Sequence, residues 1–304
     1  MNQQQYNKLC MSLAYKLIDT FDNLTLFGGI VRDMIVPMWK KGKFPFAKDE
    51  ELPNREIHDI DIYVSKSIEE KEFVDEDEDD GRGRLERRRL VILHNWFFSS
   101  AKKKLREWDW ILKDDIVDLN LYRTSGVRVV LQHAVFDNNE IQIDFIFETN
   151  GLDPDFDVNQ FRFNKSTGLT FGRVRNQENI YSHFKKQKQM IEMIDKAVNK
   201  ECLMVASLLR STPSDALILI KRFTKMLKYG WDIKNKSEDI QVRDGFPEDN
   251  LCCMVCYMEK EGKCIELTCS KCWICFDCFE QLFDKYGIIK CPNCRRVIKP
   301  WKRH

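Results

Sequence analysis

Apolar positions along the chain repeat with two periods. Tyr6, Cys10, Leu13 and Leu17 recur at helical spacing, which predicts an amphipathic helix over the first twenty residues. Leu24 to Phe27 reads as a short strand ending at Gly28-Gly29, and Ile30 to Met38 as a helix opening from that turn. Ile57 to Val64 alternates, with Ile60 and Ile62 on one side and Asp59 and Asp61 on the other. Val91 to Trp110 has helical periodicity with lysines outward. Val127 to Phe136 and Glu140 to Phe147 read as a hairpin around Asp137-Asn138-Asn139, and Ile180 to Val198 and Ser214 to Tyr229 as helices. The expected fold class is therefore α+β: a mixed sheet followed by helices, with a small cysteine-rich module at the end.

Two stretches interrupt this pattern. Residues 67–89 form an acidic block followed by a basic one, expected to be a mobile charged insertion. Residues 234–250 are polar with a Gly-Phe-Pro turn signal, expected to be a linker. The boundaries are then 1–66 with 90–233 for the large domain and 251–304 for the last one.

At 304 residues, two domains are the natural expectation. The chain is 43% hydrophobic, enough for a core, and carries 49 Lys or Arg against 48 Asp or Glu. That balance gives no general argument for nucleic-acid binding. Residues 251–304 hold ten basic and six acidic side chains, a net of +4, much of it in the tail KPWKRH, read as a solvated end. The polar opening MNQQQYNK lacks the apolar run of a secretory signal, and no run of about 18 apolar residues suits a membrane span. An intracellular protein of the cytoplasm or nucleus, without a membrane partner, is expected.

Ten of the twelve cysteines lie between Cys252 and Cys294. Eight of them form four Cys-x2-Cys pairs: Cys253 and Cys256, Cys269 and Cys272, Cys275 and Cys278, Cys291 and Cys294. A segment of this size is marginal on hydrophobic burial alone. Two Zn²⁺ ions, each held by four thiolates, supply what the core cannot. A disulfide framework is the poorer alternative, because a secreted chain would spread its cysteines more widely. From spacing alone, the pairs can share ions in tandem along the chain or in alternation.

In the large domain the chemistry sits in three carboxylates and a glycine turn. Asp59 and Asp61 share one strand face, and Asp144 sits within the apolar string IQIDFIF. A carboxylate in an apolar strand is costly unless paired or bound to metal. Three converging carboxylates suit Mg²⁺, and Gly28-Gly29 opening a helix suits the phosphates of a nucleoside triphosphate.

LTLFGGIVRDMI followed by DIDIYV resembles the head domain of CCA-adding tRNA nucleotidyltransferases and bacterial-type poly(A) polymerases. The resemblance implies a nucleotide and metal site at Gly28, Gly29, Arg32, Asp33, Asp59 and Asp61, with Asp144 as the third carboxylate. DFDVN, with Asp155 and Asn159, is similar to the family's second motif, and KRFTKMLKYGWDI, with Arg222, to the helix ending its neck. The likeness spans Leu24 to Ile233. Asp153 and Pro154 stand where paired arginines are usual, and Thr212, Pro213 and Ala216 where base-selecting groups are usual. Nucleotidyl transfer to RNA or protein is thus an expectation, while CCA-type base selection is not.

CMVC, CSKCWICFDC and CPNC resemble a RING finger, with Cys272 where histidine is commonest. The resemblance implies alternation: Cys253, Cys256, Cys275 and Cys278 at one ion, and Cys269, Cys272, Cys291 and Cys294 at the other. It also implies docking of a ubiquitin-conjugating enzyme on Val255, Leu282 and Pro292, with Arg295 bonding both that enzyme and ubiquitin. Two functions follow as expectations. One is a ubiquitin-ligase-type protein; the other is an Mg²⁺-dependent nucleotidyltransferase that uses the RING as an adaptor.

Overall fold

The computed structural model describes residues 1–43, 51–64, 99–113, 117–122, 127–147, 155–172, 180–206, 213–248, 251–259, 261–284 and 287–302. The charged stretch 67–89 lies outside them. The described chain is mixed α+β and divides into two compact units. The first comprises Met1–Leu152 and Gln160–Met190, the second Asp153–Asn159 and Ile191–His304.

The first unit opens with helix Gln3–Thr20, started by a reciprocal cap. Asn2 Oδ1 accepts the Gln5 N–H at 2.9 Å, and Gln5 Oε1 accepts the Asn2 N–H at 2.9 Å. Its buried face is Cys10, Met11, Leu13, Ala14, Leu17 and Ile18, the helical spacing read from the sequence. The described strands are β1 (Leu24–Phe27), β2 (Asp59–Val64), β3 (Ile111–Leu112), β4 (Val117–Tyr122), β5 (Val127–Phe136), β6 (Asn139–Phe147), β7 (Phe161–Asn164) and β8 (Gly168–Phe171). They form one sheet in the order β3-β5-β6-β2-β1-β7-β8, with β4 also on β5. The pair β2–β6 is parallel, and the pairs β5–β6, β1–β2 and β1–β7 are antiparallel. Asp137 and Asn138 both take left-handed φ, 46° and 62°, which makes the two-residue turn of the β5–β6 hairpin.

Alternation gives the sheet two different faces. Leu24, Leu26, Ile60, Ile62, Val64, Ile141, Ile143, Phe145, Phe161 and Phe163 are buried. Thr25, Asp59, Asp61, Tyr63, Gln142, Asp144 and Arg162 alternate with them and stay half-open. The carboxylates therefore stand on a sheet whose opposite face is core.

The second unit is built on helix Pro213–Lys228, which buries Ala216, Leu219, Ile220, Phe223, Met226 and Leu227. Gly230 ends it with φ +75°. The Gly230 N–H bonds to the Leu227 carbonyl and the Trp231 N–H to the Met226 carbonyl, both at 3.0 Å, a paired closure that needs the left-handed residue. Short strands β9 (Glu201–Cys202) and β10 (Asp232–Ile233) pair in parallel.

The segment 234–250 differs from the expected linker. Its strand β11 (Ile240–Arg243) pairs with β12 (Cys264–Leu267), which pairs with β13 (Cys272–Ile274). The polar composition hid it because four residues suffice for the pairing, and Arg243 closes an ion pair of 2.6 Å with the buried Glu266. Helix Phe276–Gln281 and the hairpin β14 (Ile289–Lys290) and β15 (Val297–Ile298) complete the module.

The tail also differs from a solvated end. Trp301 is 8% exposed, its indole Nε1 donates to the Ala206 carbonyl at 3.1 Å, and its ring centroid lies 5.0 Å from that of Phe223. Asn235 binds the carbonyls of Met204 and Lys302 through Nδ2, each at 2.9 Å. Among the described residues no helix is long and apolar enough to cross a membrane.

Candidate metal centres

Parallel pairing of β2 with β6 sets Asp61 directly opposite Asp144, with Asp59 opposite Gln142. One carboxylate oxygen from each of Asp59, Asp61 and Asp144 lies within 4.8 Å of the other two. Gln142 Nε2 donates to Asp144 Oδ1 at 2.8 Å and orients it. Antiparallel pairing of β1 then puts Phe27 opposite Asp61, so Gly28 follows at the carboxylate's side. Gly28 has φ +68°, and an ideal Cβ there would sit 2.0 Å from Asp61 Oδ2. Only glycine fits this approach. Three oxygen donors within 4.8 Å of one another could hold a hard divalent cation.

The helix leaving Gly28 runs through Gly28–Ile30, a π-helical stretch Val31–Ile35, and Val36–Lys40. The wide turn carries Arg32 and Asp33, both buried. Arg32 donates Nε to Asp33 Oδ1 at 3.1 Å and Nη2 to Oδ2 at 2.5 Å. Arg55, not singled out from the sequence, donates Nη1 to Asp33 Oδ1 at 3.1 Å. Burial lowers the Arg55 pKa, and the Asp33 charge opposes that shift. Nothing local in the sequence signals the pair, since 22 residues separate the partners.

Three further resemblance positions fall in the second unit. Asp155 pairs with Arg222, and the Asp155 carbonyl accepts the N–H groups of Val205 and Ala206 at 2.8 and 3.2 Å. Asn159 lies within the short helical turn Asp157–Gln160, its N–H on the Phe156 carbonyl at 3.0 Å. Asp157 was also not singled out. It is buried and accepts the N–H groups of Val158 and Leu203 at 2.9 and 2.8 Å, and Lys196 Nζ at 3.3 Å.

The cysteines gather in alternation. The Sγ atoms of Cys253, Cys256, Cys275 and Cys278 lie within 4.8 Å of one another. Those of Cys269, Cys291 and Cys294 form a second group, with Cys294 Sγ 3.5 Å from Cys269 Sγ. A tetrahedral zinc with Zn–S near 2.3 Å needs sulfurs about 3.8 Å apart, so the spacings suit it. Cys272 is the exception. It is fully buried on β13 with its thiol beside Cys291, outside the compact three-sulfur group. The tandem pairing is not adopted.

Two knuckles of the same build deliver the first and last pairs. The Tyr257 N–H bonds to the Cys253 carbonyl at 2.8 Å, and the Arg295 N–H to the Cys291 carbonyl at 2.9 Å. Tyr257 and Arg295 both take left-handed φ, 57° and 61°. Burial disfavours the Cys253 thiolate, but N–H groups of Cys256, Cys275 and Val255 outweigh it and bring the thiol down to about 7. Cys291 is likewise opposed by burial, then helped by the Ser270 hydroxyl and the N–H groups of Cys294 and Asn293, again to about 7. Burial pushes Cys269 and Cys272 up to about 12. Soft sulfur donors backed by N–H groups fit zinc in both groups. Cys264, outside the pairs, is a buried thiol donating to the Gly245 carbonyl at 3.0 Å.

Of the expected docking residues, Val255 and Leu282 are half-buried, and Pro292 and Arg295 are exposed. Comparison of the chain with protein-family models, curated proteins and solved structures found no match.

Proposed function

We propose that the C-terminal module is a RING-type zinc finger holding two Zn²⁺ ions, and that the protein acts as a ubiquitin-ligase-type docking platform inside the cell. The alternating gathering of the cysteine pairs supports this reading, because it is the arrangement a cross-braced RING requires. The work of such a module is positional: it holds a loaded conjugating enzyme in one posture and makes no covalent bond itself. Val255, Leu282 and Pro292 would meet the enzyme's apolar loops, with Arg295 reaching across to ubiquitin. The test is ubiquitin-chain formation with a panel of conjugating enzymes. Activity is expected in the intact chain and lost in Arg295→Ala with both zinc ions retained; full activity in that variant overturns the assigned role.

A second reading draws on a separate observation, the three carboxylates facing a helix that starts at Gly28. In this reading the first unit is a nucleotidyltransferase head. Asp59, Asp61 and Asp144 would hold Mg²⁺, which neutralises phosphate charge and orients an attacking hydroxyl when bound. Gly28 lets the backbone approach the Asp61 carboxylate closely. Gly28, Gly29, Arg32 and Asp33 would hold the nucleotide by the family likeness. Incubation with labelled nucleotides, RNA or protein acceptors and Mg²⁺ is expected to give label transfer that Asp59→Ala with Asp61→Ala abolishes. Transfer that survives the double change removes this reading.

A further inference from the structure

We propose that Asn7 and Arg55 are positioning residues that fix the Gly28 helix against the carboxylate strand. What the site does rests on the nucleotidyl-transfer reading; how it is held rests on hydrogen bonds alone.

Asn7 is 1% exposed on the helix Gln3–Thr20. Both ends of its amide are engaged. Oδ1 accepts Gln3 Nε2 at 3.0 Å and the Ile57 N–H at 3.3 Å, and Nδ2 donates to the Arg55 carbonyl at 2.6 Å. A buried amide costs free energy that a packed leucine of similar size does not, unless its hydrogen bonds are made. Here two of those bonds go to Arg55 and Ile57, which lead into β2. Arg55 then turns its guanidinium, with a side chain 10% exposed, onto Asp33. Asp33 is held from its other side by Arg32, and Gly29 lies against both, with an ideal Cβ 3.8 Å from Asp33 Oδ2 and 3.9 Å from Arg32 Nη2.

The clamp thus runs from the first helix, through residues 55–57, to the helix that begins at Gly28. Asp59 follows two residues after Ile57, and Asp61 meets Gly28. A one-residue slip of β2 would send Asp59 and Asp61 to the core face. Ladder hydrogen bonds alone tolerate such a slip; a side-chain tie outside the ladder does not. A displacement of about 1 Å at reacting groups costs on the order of a hundredfold in rate, so a tie of this kind bears on chemistry without touching substrate.

The experiment compares full-length wild type with Asn7→Leu, Arg55→Gln and Arg55→Lys. Circular dichroism and zinc content serve as controls. Three readouts are taken: Mn²⁺ affinity by electron paramagnetic resonance, amide exchange at Gly28–Ile30 and Ile60–Ile62, and kcat against KM for the nucleotide. Asn7→Leu and Arg55→Gln are expected to weaken Mn²⁺ binding on the order of tenfold and to lower kcat more than they raise KM. Exchange at Gly28–Ile30 should quicken, and Arg55→Lys should recover part of each loss. Unchanged Mn²⁺ affinity and unchanged exchange in both variants overturn the proposal. Should Asn7→Leu fail to fold, the Arg55 pair decides. If wild type neither binds Mn²⁺ nor transfers nucleotide, the nucleotidyl-transfer reading falls, and the exchange measurement alone supports or overturns the clamp.

Discussion

The two units build their candidate metal centres by opposite routes. In the first, the sheet comes first and the site is a by-product of register: parallel pairing of β2 and β6 sets Asp61 opposite Asp144, and Gly28 lets the backbone pass close against Asp61. A buried apolar face holds that register whether or not a cation is present. In the second unit the order reverses. The cysteine module has short strands and a six-residue helix, too little apolar burial to order four thiol pairs. There the ligand set organises the chain. A carboxylate site of this kind is expected to stand without its ion, and a thiolate site of this kind to depend on one.

Metal removal should expose this difference most strongly. Structural zinc contributes about 10–16 kcal/mol to folding in small finger peptides. Chelation is therefore expected to collapse residues 251–302 and to speed amide exchange along helix Pro213–Lys228, which shares their unit. Exchange in β1, β2 and β6 should stay slow. Equal loss of protection in both units would erase the contrast.

The middle-sized effect is Trp301→Ala. The ring packs near Phe223 and the indole N–H is bonded, so truncation leaves a cavity and an unpaired carbonyl at Ala206. A loss of about 3–5 kcal/mol is expected for the second unit, read by denaturant unfolding of the zinc-loaded chain. A loss below about 1 kcal/mol would mean that the tail is merely resting there.

In the first unit the corresponding change is Gly28→Ala. It forces a left-handed backbone on alanine, about 1–2 kcal/mol, and drives a methyl into the Asp61 carboxylate. Stability should fall modestly while Mn²⁺ binding falls much further. Loss of stability with normal Mn²⁺ affinity would show that the site does not depend on this approach.

Much of each centre was legible, for reasons that differ. Period-two alternation alone places Asp59 and Asp61 on one face, since a strand has no other geometry. That Asp61 faces Asp144 is a long-range register, and no local pattern encodes it. The four Cys-x2-Cys pairs announce sulfur chemistry by spacing, yet the spacing is equally compatible with tandem and alternating sharing. The family likeness pointed to alternation, and the fold adopts it for seven of the eight sulfurs; Cys272 is buried on β13 with its thiol beside Cys291, outside the three-sulfur group. Arg55, Asn7 and Trp301 were invisible because their roles are tertiary hydrogen bonds between segments far apart in the chain. The strand Ile240–Arg243 was missed because it is brief and polar, and its partner lies beyond an intervening loop.

Alternating sulfur groups have a topological consequence. Each ion, once bound, would cross-link chain segments that flank ligands of the other, so the module cannot be halved into two self-sufficient miniature fingers. Its two thiol groups are interlaced like links, and a nick between Cys256 and Cys269 would leave both fragments tethered. Both ions draw on one and the same fold, which neither half can reach alone, so intermediates with a single ion should be scarce under native mass spectrometry, and the module should pass from empty to full over a narrow range of zinc.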